Sequence, residues 1–488
     1  MNTTHSAKAY YLHPDSAPYR QGIFDVIRIF DPHFAWSESS EEGDTVSVIC
    51  GDTAWALQIG TDTISFDTHN LDENQCRKKL KQTVYQYFAA QNEADSIHQH
   101  PWGIMTGIRP TKIVHRYRDT VMHEHEMQEQ EIKKTIMDEY FLREDKADLL
   151  MEVTARQRPF LLTPEEAKQS VSIYLSIPFC PTRCHYCSFP SFCLPKPHLQ
   201  EEYLSHLIAE CNAVGEALSR KGITVQTVYI GGGTPTSLHA MQLDRLLGNV
   251  QNAFGSHLAE FTVEAGRPDT ITLEKLQLLH DYNVGRISIN PQTFSQATLD
   301  AIGRRHTVQD LYDVYHMARG VGFDSINMDL IAGLTGETVE DFRNSLNQIS
   351  VLKPENVTVH TLAIKRTAKL DRADFDDAQG HMVSAMNDAL QQWLRTEEYV
   401  PYYLYRQKQM IGDMENTGYS LPGKESLYNI QMMEERQTIF GLGVGSTTKY
   451  VNANDWTLTQ TNNPKDLFFY NQRIDEIIQK KLTMIENM

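Results

Sequence analysis

The alternation of apolar and polar positions is most regular between residues 170 and 395. Short runs rich in β-branched and aromatic residues alternate there with longer stretches whose apolar positions repeat at helical spacing. The runs that predict strands are residues 173–177, 225–231, 261–265, 286–290, 325–331 and 357–362. The stretches that predict helices are residues 199–219, 240–253, 273–282, 308–319, 339–350 and 381–395.

Six such repeats predict an α/β fold with parallel strands and right-handed crossovers. A closed barrel of this kind has eight strands. We therefore expect a partial (β/α)6 barrel that is open on one side and leaves room for a large substrate. Functional residues of barrels follow the carboxyl ends of the strands, and we expect the same here.

The region before the repeats has a more mixed pattern. The apolar runs that read as short strands of a small antiparallel sheet are residues 21–30, 44–50, 53–59 and 63–66. Residues 74–91 predict a helix, and residues 123–162 predict two helices that break near Asp145. This region therefore predicts an N-terminal α+β domain over residues 1–165.

The tail after the repeats is also mixed. It predicts an aromatic strand at residues 399–406, a glycine-rich strand and turn at 438–445, and an amphipathic helix at 467–482. We expect the barrel to occupy residues 166–398. The tail, residues 399–488, should form a C-terminal mixed α/β extension that covers the open side of the barrel.

Composition and charge narrow the function classes. The chain has 488 residues, enough for two or three domains, and a net charge of −18 at pH 7. A general nucleic-acid binder would present a basic face, so we expect no nucleic-acid partner. There is no run of about 18 apolar residues, so we expect no membrane insertion, and the first residues lack the apolar core of a signal peptide. The cysteines cluster rather than spread in pairs, which fits a reducing, cytoplasmic location.

Three cysteines stand at CxxxCxxC spacing directly after the first predicted strand. They are Cys180, Cys184 and Cys187. Thiolates are the soft ligands of iron–sulfur clusters, and a 4Fe–4S cluster normally takes four of them. Three local cysteines would leave one iron open to a small molecule. A zinc site completed by His185 or Cys193, a redox dithiol or simple packing are the alternatives, and the spacing favours the cluster.

The segments around these cysteines resemble the radical S-adenosylmethionine (SAM) enzymes, whose signature is CxxxCxYC after a strand. The segments CHYCSFPS, YIGGGTPT, TVEAGRPD, RISINPQTF, IGRRHT and NMDLIAGLTGET occur in this order. They resemble the oxygen-independent coproporphyrinogen III dehydrogenase group (the HemN/HemW-like group), and within it the HemZ-type branch. The resemblance implies a 4Fe–4S cluster on the three cysteines whose fourth iron chelates SAM. It also implies that SAM is cleaved to a 5′-deoxyadenosyl radical, which takes hydrogen from the substrate.

The resemblance also assigns residues to SAM, most of them at the ends of predicted strands. They are Tyr186, Gly231, Gly232, Gly233, Thr234, Glu264, Gln292, Arg304 and Asp329. It implies that the glycine loop receives the amino group of SAM and that Arg304, or its neighbour Arg305, pairs with the carboxylate. Gln292 and Asp329 would bind the ribose, and Tyr186 would lie against the adenine. Each residue taken alone could instead be a satisfied core residue.

Two further features of these residues agree with a ligand site. Consecutive glycines let the backbone approach a ligand closely. The carboxylates of Glu264 and Asp329 fall inside apolar strands, where burial is costly without a partner. The glycine-rich segment 441–446 resembles a late family segment near the cofactor, and a plain glycine turn is the alternative.

The resemblance implies a tetrapyrrole ligand but leaves its fate open. The main expectation is oxidative decarboxylation of two propionates of coproporphyrinogen III to vinyl groups, giving protoporphyrinogen IX, with an electron donor such as flavodoxin or ferredoxin. A heme-binding or heme-delivering protein and a radical enzyme for a non-porphyrin substrate are the alternatives. Residues 188–190 depart from the Gly-Cys of decarboxylating relatives, and residues 427–433 lack the His-Asn…Tyr-Trp pattern of heme-chaperone relatives.

A tetrapyrrole with carboxylate arms needs basic partners, although the chain is acidic. The candidates that the sequence offers are Arg109, Lys112, Arg183, Arg305, Lys365 and Arg366. Arg183 is the strongest candidate because it stands between two of the predicted cluster ligands.

Overall fold

The computed structural model describes residues 10–31, 34–41, 43–91, 97, 100–107, 109–124, 129–364, 370, 377–408 and 410–488. The chain divides into two units, Met1–Met151 and Glu152–Met488. The predicted domain boundaries after residues 165 and 398 stay predictions. No helix among the described residues is long and apolar enough to cross a membrane.

The first unit combines a small sheet with α-helices. Its elements are β1 (Tyr10–Leu12), α1 (Arg20–Phe30), β2 (Asp44–Cys50), β3 (Ala54–Ile59), β4 (Asp62–Asp67), α2 (Glu73–Gln91), α3 (Thr111–Glu124), α4 (Glu129–Tyr140) and α5 (Glu144–Gln157), which runs on into the second unit. Strands β2, β3 and β4 are antiparallel, as expected, whereas β1 pairs with β2 in parallel. The predicted helix at residues 74–91 is confirmed as α2.

The strand prediction for residues 21–30 is wrong, because this segment is helix α1. Its partly alternating pattern also satisfies a helical period. Ile23, Val26 and Ile27, spaced i, i+3 and i+4, are all buried on one face of the helix. A run of about ten residues is long enough for three turns, and tertiary packing then decides in favour of the helix.

The second unit begins with the predicted strand and helix repeats. Its first elements are α6 (Pro164–Gln169), β5 (Ser170–Ile177), β6 (Phe179–Cys180), β7 (Phe192–Cys193), α7 (Pro197–Lys221), β8 (Thr224–Gly232), α8 (Ala240–Phe254), β9 (Glu260–Glu264), α9 (Leu273–Asp281), β10 (Arg286–Ser288), α10 (Gln296–Ala301), α11 (Val308–Val321), β11 (Ile326–Ala332), α12 (Val339–Leu352), β12 (Asn356–Thr361) and α13 (Asp377–Leu394). The later elements are β13 (Val400–Tyr405), β14 (Asn416–Ser420), α14 (Leu427–Glu434), β15 (Thr438–Leu442), β16 (Thr447–Asn452), β17 (Thr457–Asn462), α15 (Leu467–Gln472) and α16 (Ile474–Glu486).

The six predicted barrel strands are all present. Strands β5, β8, β9, β10, β11 and β12 lie side by side in chain order and pair in parallel. The two end strands do not close on each other. Strand β5 pairs with β15 in parallel, and β12 pairs with β14 in the antiparallel sense. The partial (β/α)6 barrel is thus part of a larger open sheet.

The tail contributes strands to both edges of this sheet, which the sequence pattern does not reveal. Strands β14 and β13 extend it beyond β12, and β15, β16 and β17 extend it beyond β5. The tail's predicted covering role stays a prediction. The single helix expected at residues 467–482 is two helices, α15 and α16, which meet at Arg473.

A buried polar network fastens the last helices to the barrel. The Oε1 atom of Glu210, on α7, lies 2.7 Å from Nζ of Lys481, on α16, and both side chains are almost fully buried. The hydroxyl of Tyr470 and the backbone N–H of Gly443 donate to the other oxygen of this carboxylate at 2.6 and 2.8 Å. A buried charge with a counter-ion and several donors avoids most of its desolvation penalty.

Candidate active site

The inside of the six-stranded barrel is lined by polar side chains. Because side chains alternate along a strand, residues two apart share a face. The polar residues that point inward and line a single cavity of about 360 Å³ are Thr262 and Glu264 on β9, Arg286 and Ser288 on β10, Asn327 and Asp329 on β11, and Thr358 and His360 on β12. Barrel interiors are ordinarily packed with branched apolar residues. A polar interior with open volume is therefore suited to a ligand.

The same cavity collects the predicted site residues. All the cysteines and SAM residues predicted from the sequence line it except Gly231. Gly231 lies behind the wall, where a Cβ atom would come within 3.0 Å of the Glu264 carboxyl carbon and 2.9 Å of the Tyr229 ring. A glycine at this position therefore lets the Glu264 side chain occupy its place in the wall.

The three predicted cluster ligands face the cavity from one loop. Cys184 is buried, and Cys180 and Cys187 are half-buried, whereas Cys193 is exposed and lies outside the cavity lining. Within the described ranges, no three cysteine, histidine or carboxylate side chains converge closely enough to hold one metal ion between them. Three thiols spread around a loop suit a cluster, in which each cysteine binds a different iron.

Two polar side chains lie close to the sulfur atoms of this loop. Nη1 of Arg267 lies 3.7 Å from Sγ of Cys184, and the hydroxyl of Thr234 lies 3.5 Å from Sγ of Cys180. Arg267 is itself fixed by Asp269, to which it donates at 3.0 and 2.9 Å. Donors to cluster sulfurs stabilise their negative charge and tune the cluster's potential. Sequence reasoning missed Arg267, although it belongs to the quoted segment TVEAGRPD.

The glycine loop after β8 passes close to the cysteine segment. Gly232 has a φ of 111°, a left-handed conformation that a side chain would strain. A Cβ atom on Gly233 would lie 2.6 Å from the carbonyl oxygen of Phe179, so that only glycine fits. The loop thus presents backbone, not side chains, to the cavity beside Cys180.

Glu264 lies next to this loop, is half-buried and lines the cavity. The hydroxyl of Tyr229 donates to its Oε1 at 2.6 Å. Burial raises the pKa of this carboxyl to about 7, although the Tyr229 hydroxyl and the Gly232 backbone lower it and Asp329 raises it further. Glu264 therefore exchanges its proton near neutral pH, and a cationic group placed beside it would favour the ionised form.

Asp329 forms the centre of a hydrogen-bonded group on the neighbouring strands. The Asn327 amide donates to its Oδ1 at 2.8 Å, and Nε2 of His360 lies 3.6 Å from Oδ2. The other nitrogen of His360 is 3.3 Å from the hydroxyl of Tyr405. His360 was not predicted, but its alternation with Thr358 along a predicted strand is a signal that could have found it.

Gln292 adopts a conformation that is unusual for a residue with a side chain. Its φ is 68°, in the left-handed region. Its backbone N–H donates to the Asp329 carbonyl at 2.8 Å, and its carbonyl accepts from Ile331 at 3.0 Å, so that β11 holds it in place. Such strain costs on the order of 1–3 kcal/mol and concentrates at functional sites.

Arg304 connects the loops that follow β9 and β10. Its Nη1 donates to the carbonyl oxygens of Gly266 and Asn290 at 3.2 and 3.0 Å, and Nη2 lies 3.4 Å from the hydroxyl of Tyr186. Its Nε has no hydrogen-bond partner among the described residues. Arg305 is exposed and does not line the cavity. The geometry therefore favours Arg304 over its neighbour as the residue that faces a ligand.

Comparison with known proteins decides the family. Residues 174–349 match the sequence model of the Radical SAM superfamily. The chain is 41% identical over 428 residues to the oxygen-independent coproporphyrinogen-III oxidase-like protein HemZ of Bacillus subtilis (strain 168). The aligned region covers 87% of this chain and 84% of HemZ. The chain belongs to this radical SAM family.

Two further relatives cover less of the chain. The heme chaperone HemW of Bacillus subtilis (strain 168) is 36% identical over 196 residues, which are 40% of this chain and 51% of HemW. The solved structure of the Escherichia coli coproporphyrinogen III oxidase HemN, a radical SAM enzyme, has a TM-score of 0.53 at 24% identity and covers 66% of this chain and 72% of that one. The structural likeness confirms the fold.

Membership of the radical SAM family identifies the cofactors of this chain. The chain is a radical SAM oxidoreductase that binds a 4Fe–4S cluster and SAM. When bound, the cluster supplies the electron that cleaves SAM to a nucleoside radical. The residues present fit this pair, because the loop offers three thiols and the cavity beside it offers glycine backbone, carboxylates and an arginine.

A second wall of the radical SAM cavity is aromatic. Six tyrosines line it, namely Tyr174, Tyr186, Tyr229, Tyr402, Tyr403 and Tyr405. The rings of Tyr174 and Tyr229 stack at 6.1 Å, and Tyr428 stacks on Tyr229 at 4.5 Å. The aromatic strand predicted in the tail, confirmed as β13, supplies three of these residues.

Some sequence candidates lie elsewhere or remain predictions. The described residues of the segment 441–446 do not line the cavity, and Gly441 instead lies where a Cβ atom would meet the Thr447 carbonyl at 2.5 Å. This favours the glycine-turn alternative. Arg109 and Lys112 belong to the first unit and stay predictions. Lys365 and Arg366 lie outside the described residues.

Proposed function

We propose that this radical SAM enzyme decarboxylates the propionate arms of coproporphyrinogen III without oxygen and so makes protoporphyrinogen IX for heme synthesis. The observation that carries the proposal is the composition of the cavity. Four arginines line it, namely Arg183, Arg267, Arg286 and Arg304, although the whole chain has a net charge of −18. Arg267 contacts the cluster loop and Arg304 is assigned to SAM below, so Arg183 and Arg286 are the arginines that support a substrate with carboxylate arms.

The aromatic wall supports the same class of substrate. Coproporphyrinogen III has four flat pyrrole rings, joined by methylene bridges, and charged arms. Tyrosines offer flat faces for packing and hydroxyls for hydrogen bonds. The tyrosines of β13 come from beyond β12 in the strand order, whereas the cysteine loop follows β5, and both line the same cavity. The pyrrole rings of the substrate would pack against these tyrosines in the cavity that also holds the cysteine loop.

We assign the SAM contacts as part of this proposal. The glycine loop with Thr234 would receive the amino group and Arg304 the carboxylate of SAM, and Gln292 and Asp329 would bind the ribose hydroxyls. Tyr186, which lies next to a cluster cysteine and contacts Arg304, would pack against the adenine. Glu264 would accept a hydrogen bond from the amino group and be ionised by it.

The reaction balances for each arm as follows. One hydrogen atom leaves the propionate carbon next to the pyrrole ring and passes to the SAM-derived nucleoside. The carboxylate carbon then leaves as carbon dioxide, one electron passes to an acceptor, and a vinyl group remains. Electrons for SAM cleavage come from a one-electron donor of the flavodoxin or ferredoxin class. The clustered cysteines support a reducing, cytoplasmic location.

The experiment is an anaerobic incubation of the cluster-loaded protein with SAM, a low-potential reductant and coproporphyrinogen III. Mass spectrometry should find products that have lost one and then two units of carbon dioxide plus two hydrogen atoms. Cys187→Ala should abolish turnover, and Cys193→Ala is the matched control that should retain it. An intact substrate together with normal cluster loading and SAM binding would contradict the proposal.

Heme handling is the second candidate, favoured by the identity to HemW and by His360 and Tyr405, which face the cavity and carry side chains able to bind heme iron. The same protein is titrated with hemin and followed by its absorption spectrum. Stoichiometric binding that is lost in His360→Ala, combined with an unconverted coproporphyrinogen, would favour this function.

A further inference from the structure

Arg286 lies at the end of the cavity formed by the amino ends of the barrel strands. The cysteine loop lies at the opposite end, where it follows the carboxyl end of β5. It is the first residue of β10 and pairs with Thr262 on β9. Two residues further along, Ser288 pairs with Glu264. Asn290, whose carbonyl holds Arg304, follows four residues after Arg286. At about 3.3 Å per residue for extended chain, the two positions are about 13 Å apart along β10 and the two residues that follow it. We call the part of the cavity around Thr262, Arg286 and Ser288 the barrel floor.

The hydrogen bonds of Arg286 are incomplete. Its Nη2 donates to the carbonyl oxygens of Lys424 and Glu425 at 3.0 and 3.2 Å. Its Nε and Nη1 are buried and have no partner within the described part of the chain. The side chain is 10% exposed. A guanidinium keeps its charge at all accessible pH values, and buried N–H groups without acceptors are destabilising.

The nearest carboxylate does not satisfy these donors. Glu260 forms an ion pair with Arg286 that is largely buried, but the 3.9 Å between its oxygen and Nη2 is beyond hydrogen-bond distance. Glu260 instead accepts hydrogen bonds from the Ser426 hydroxyl at 2.8 Å and the Leu427 backbone N–H at 2.7 Å, at the start of α14. The other carboxylates that line the cavity, Glu264 and Asp329, lie further up their strands. The barrel floor therefore contains an arginine that lines the cavity and whose buried Nε and Nη1 have no acceptor among the described residues.

We propose that Arg286 binds the carboxylate of one propionate arm of the tetrapyrrole and so fixes which arm reaches the radical. The inference rests on the proposed function. A carboxylate matches the planar guanidinium and would supply acceptors for Nε and Nη1. The hydroxyls of Thr262 and Ser288 lie on the same inner face and line the same space. An arm anchored at Arg286 lies two residues, about 7 Å, from the level of Glu264 and about 13 Å from the level of Asn290, so the ring would lie between the barrel floor and the cluster.

The test measures binding, not turnover. Cluster-loaded protein with SAM is titrated anaerobically with coproporphyrin III, a stable fluorescent analogue, and with its tetramethyl ester, which lacks the charges. The parent should prefer the acid. Arg286→Gln should weaken binding of the acid about 10- to 100-fold and leave binding of the ester unchanged. Arg245→Gln, which removes an exposed arginine on α8, is the matched control and should behave like the parent.

The outcomes separate the anchor from the proposed function. Iron content, SAM binding and the thermal midpoint establish that each variant is folded. Arg286→Lys keeps the charge and loses the planar fork, so it should fold like the parent and bind the acid with intermediate affinity. Parent-like preference for the acid in both variants overturns the anchor and leaves the proposed function standing. A parent that binds neither porphyrin overturns the proposed function and the anchor with it.

Discussion

Glu337 provides a test of how burial shapes the stability of the barrel. It follows β11 in the loop before α12 and is only 2% exposed. Neither of its carboxylate oxygens meets hydrogen-bond geometry with a described group. Burial raises the pKa of this carboxyl from 4.5 to about 8, although the Thr293 hydroxyl lowers it and Asp341 adds a smaller increase. The folded protein therefore holds Glu337 in its protonated form at neutral pH.

The expected effect on stability follows from proton binding. At pH 7 the Glu337 carboxyl has lost its proton in the unfolded chain and has kept it in the folded protein. This pH is about 2.5 units above the unfolded pKa of 4.5. At 1.36 kcal/mol per unit, this makes folding less favourable by about 3 kcal/mol. Because the folded pKa is raised, stability is greatest below about pH 4.5 and falls as the pH rises towards about 8. Glu337→Gln replaces the protonated acid with an amide of the same shape and removes this dependence.

The assay is urea unfolding of the cluster-loaded protein, followed by circular dichroism under anaerobic conditions at pH 5.5, 7 and 8. We expect Glu337→Gln to be more stable than the parent by about 3 kcal/mol at pH 7 and by about 1 kcal/mol at pH 5.5. Glu340→Gln, an exposed substitution three residues later, is the control and should show no such trend. A stability difference between Glu337→Gln and the parent that does not change with pH would refute the reasoning.

Three further predictions follow from the site and its support. Cys187→Ala should lose the cluster and Cys193→Ala should keep it, as measured by iron content and absorbance. Arg304→Ala should weaken SAM binding about 10- to 100-fold in a direct titration, because it removes a charge-assisted contact, while Arg305→Ala should not. Lys481→Met should lower the free energy of unfolding by about 3–5 kcal/mol, measured with urea, because it leaves a buried carboxylate without its counter-ion. An unchanged midpoint in that variant would contradict the assigned role of the buried pair.

The barrel and much of its site were readable from the sequence because their signals are local. Each barrel strand is a short apolar run between helical stretches, and the cysteine loop has diagnostic spacing. Arg286 and His360 were missed because only the carboxylates of Glu264 and Asp329 were singled out among the polar residues of these strands. Their inward alternation with Ser288 and Thr358 was visible in the sequence, and it marks a barrel whose interior is polar.

Other features depend on packing that no local pattern contains. The apolar pattern of residues 21–30 satisfies both the strand period and the helix period. The segment forms a helix because Ile23, Val26 and Ile27 are buried together on one face. Arg267 looks like a surface residue between a glycine and a proline, yet it reaches the sulfur of Cys184. The left-handed conformation of Gln292 is imposed by its bonds to β11.

The pairing of β5 with β15 has a consequence for how the chain folds during synthesis. Val171 pairs with Thr438, so the first barrel strand cannot gain this neighbour until about 270 more residues have been made. At roughly 5–20 residues per second, its edge stays open for roughly 13–53 s. Throughout that time an apolar strand edge is available for pairing with other nascent chains. Yield of native protein should therefore depend on translation speed and on chaperones that shield this edge until the tail arrives.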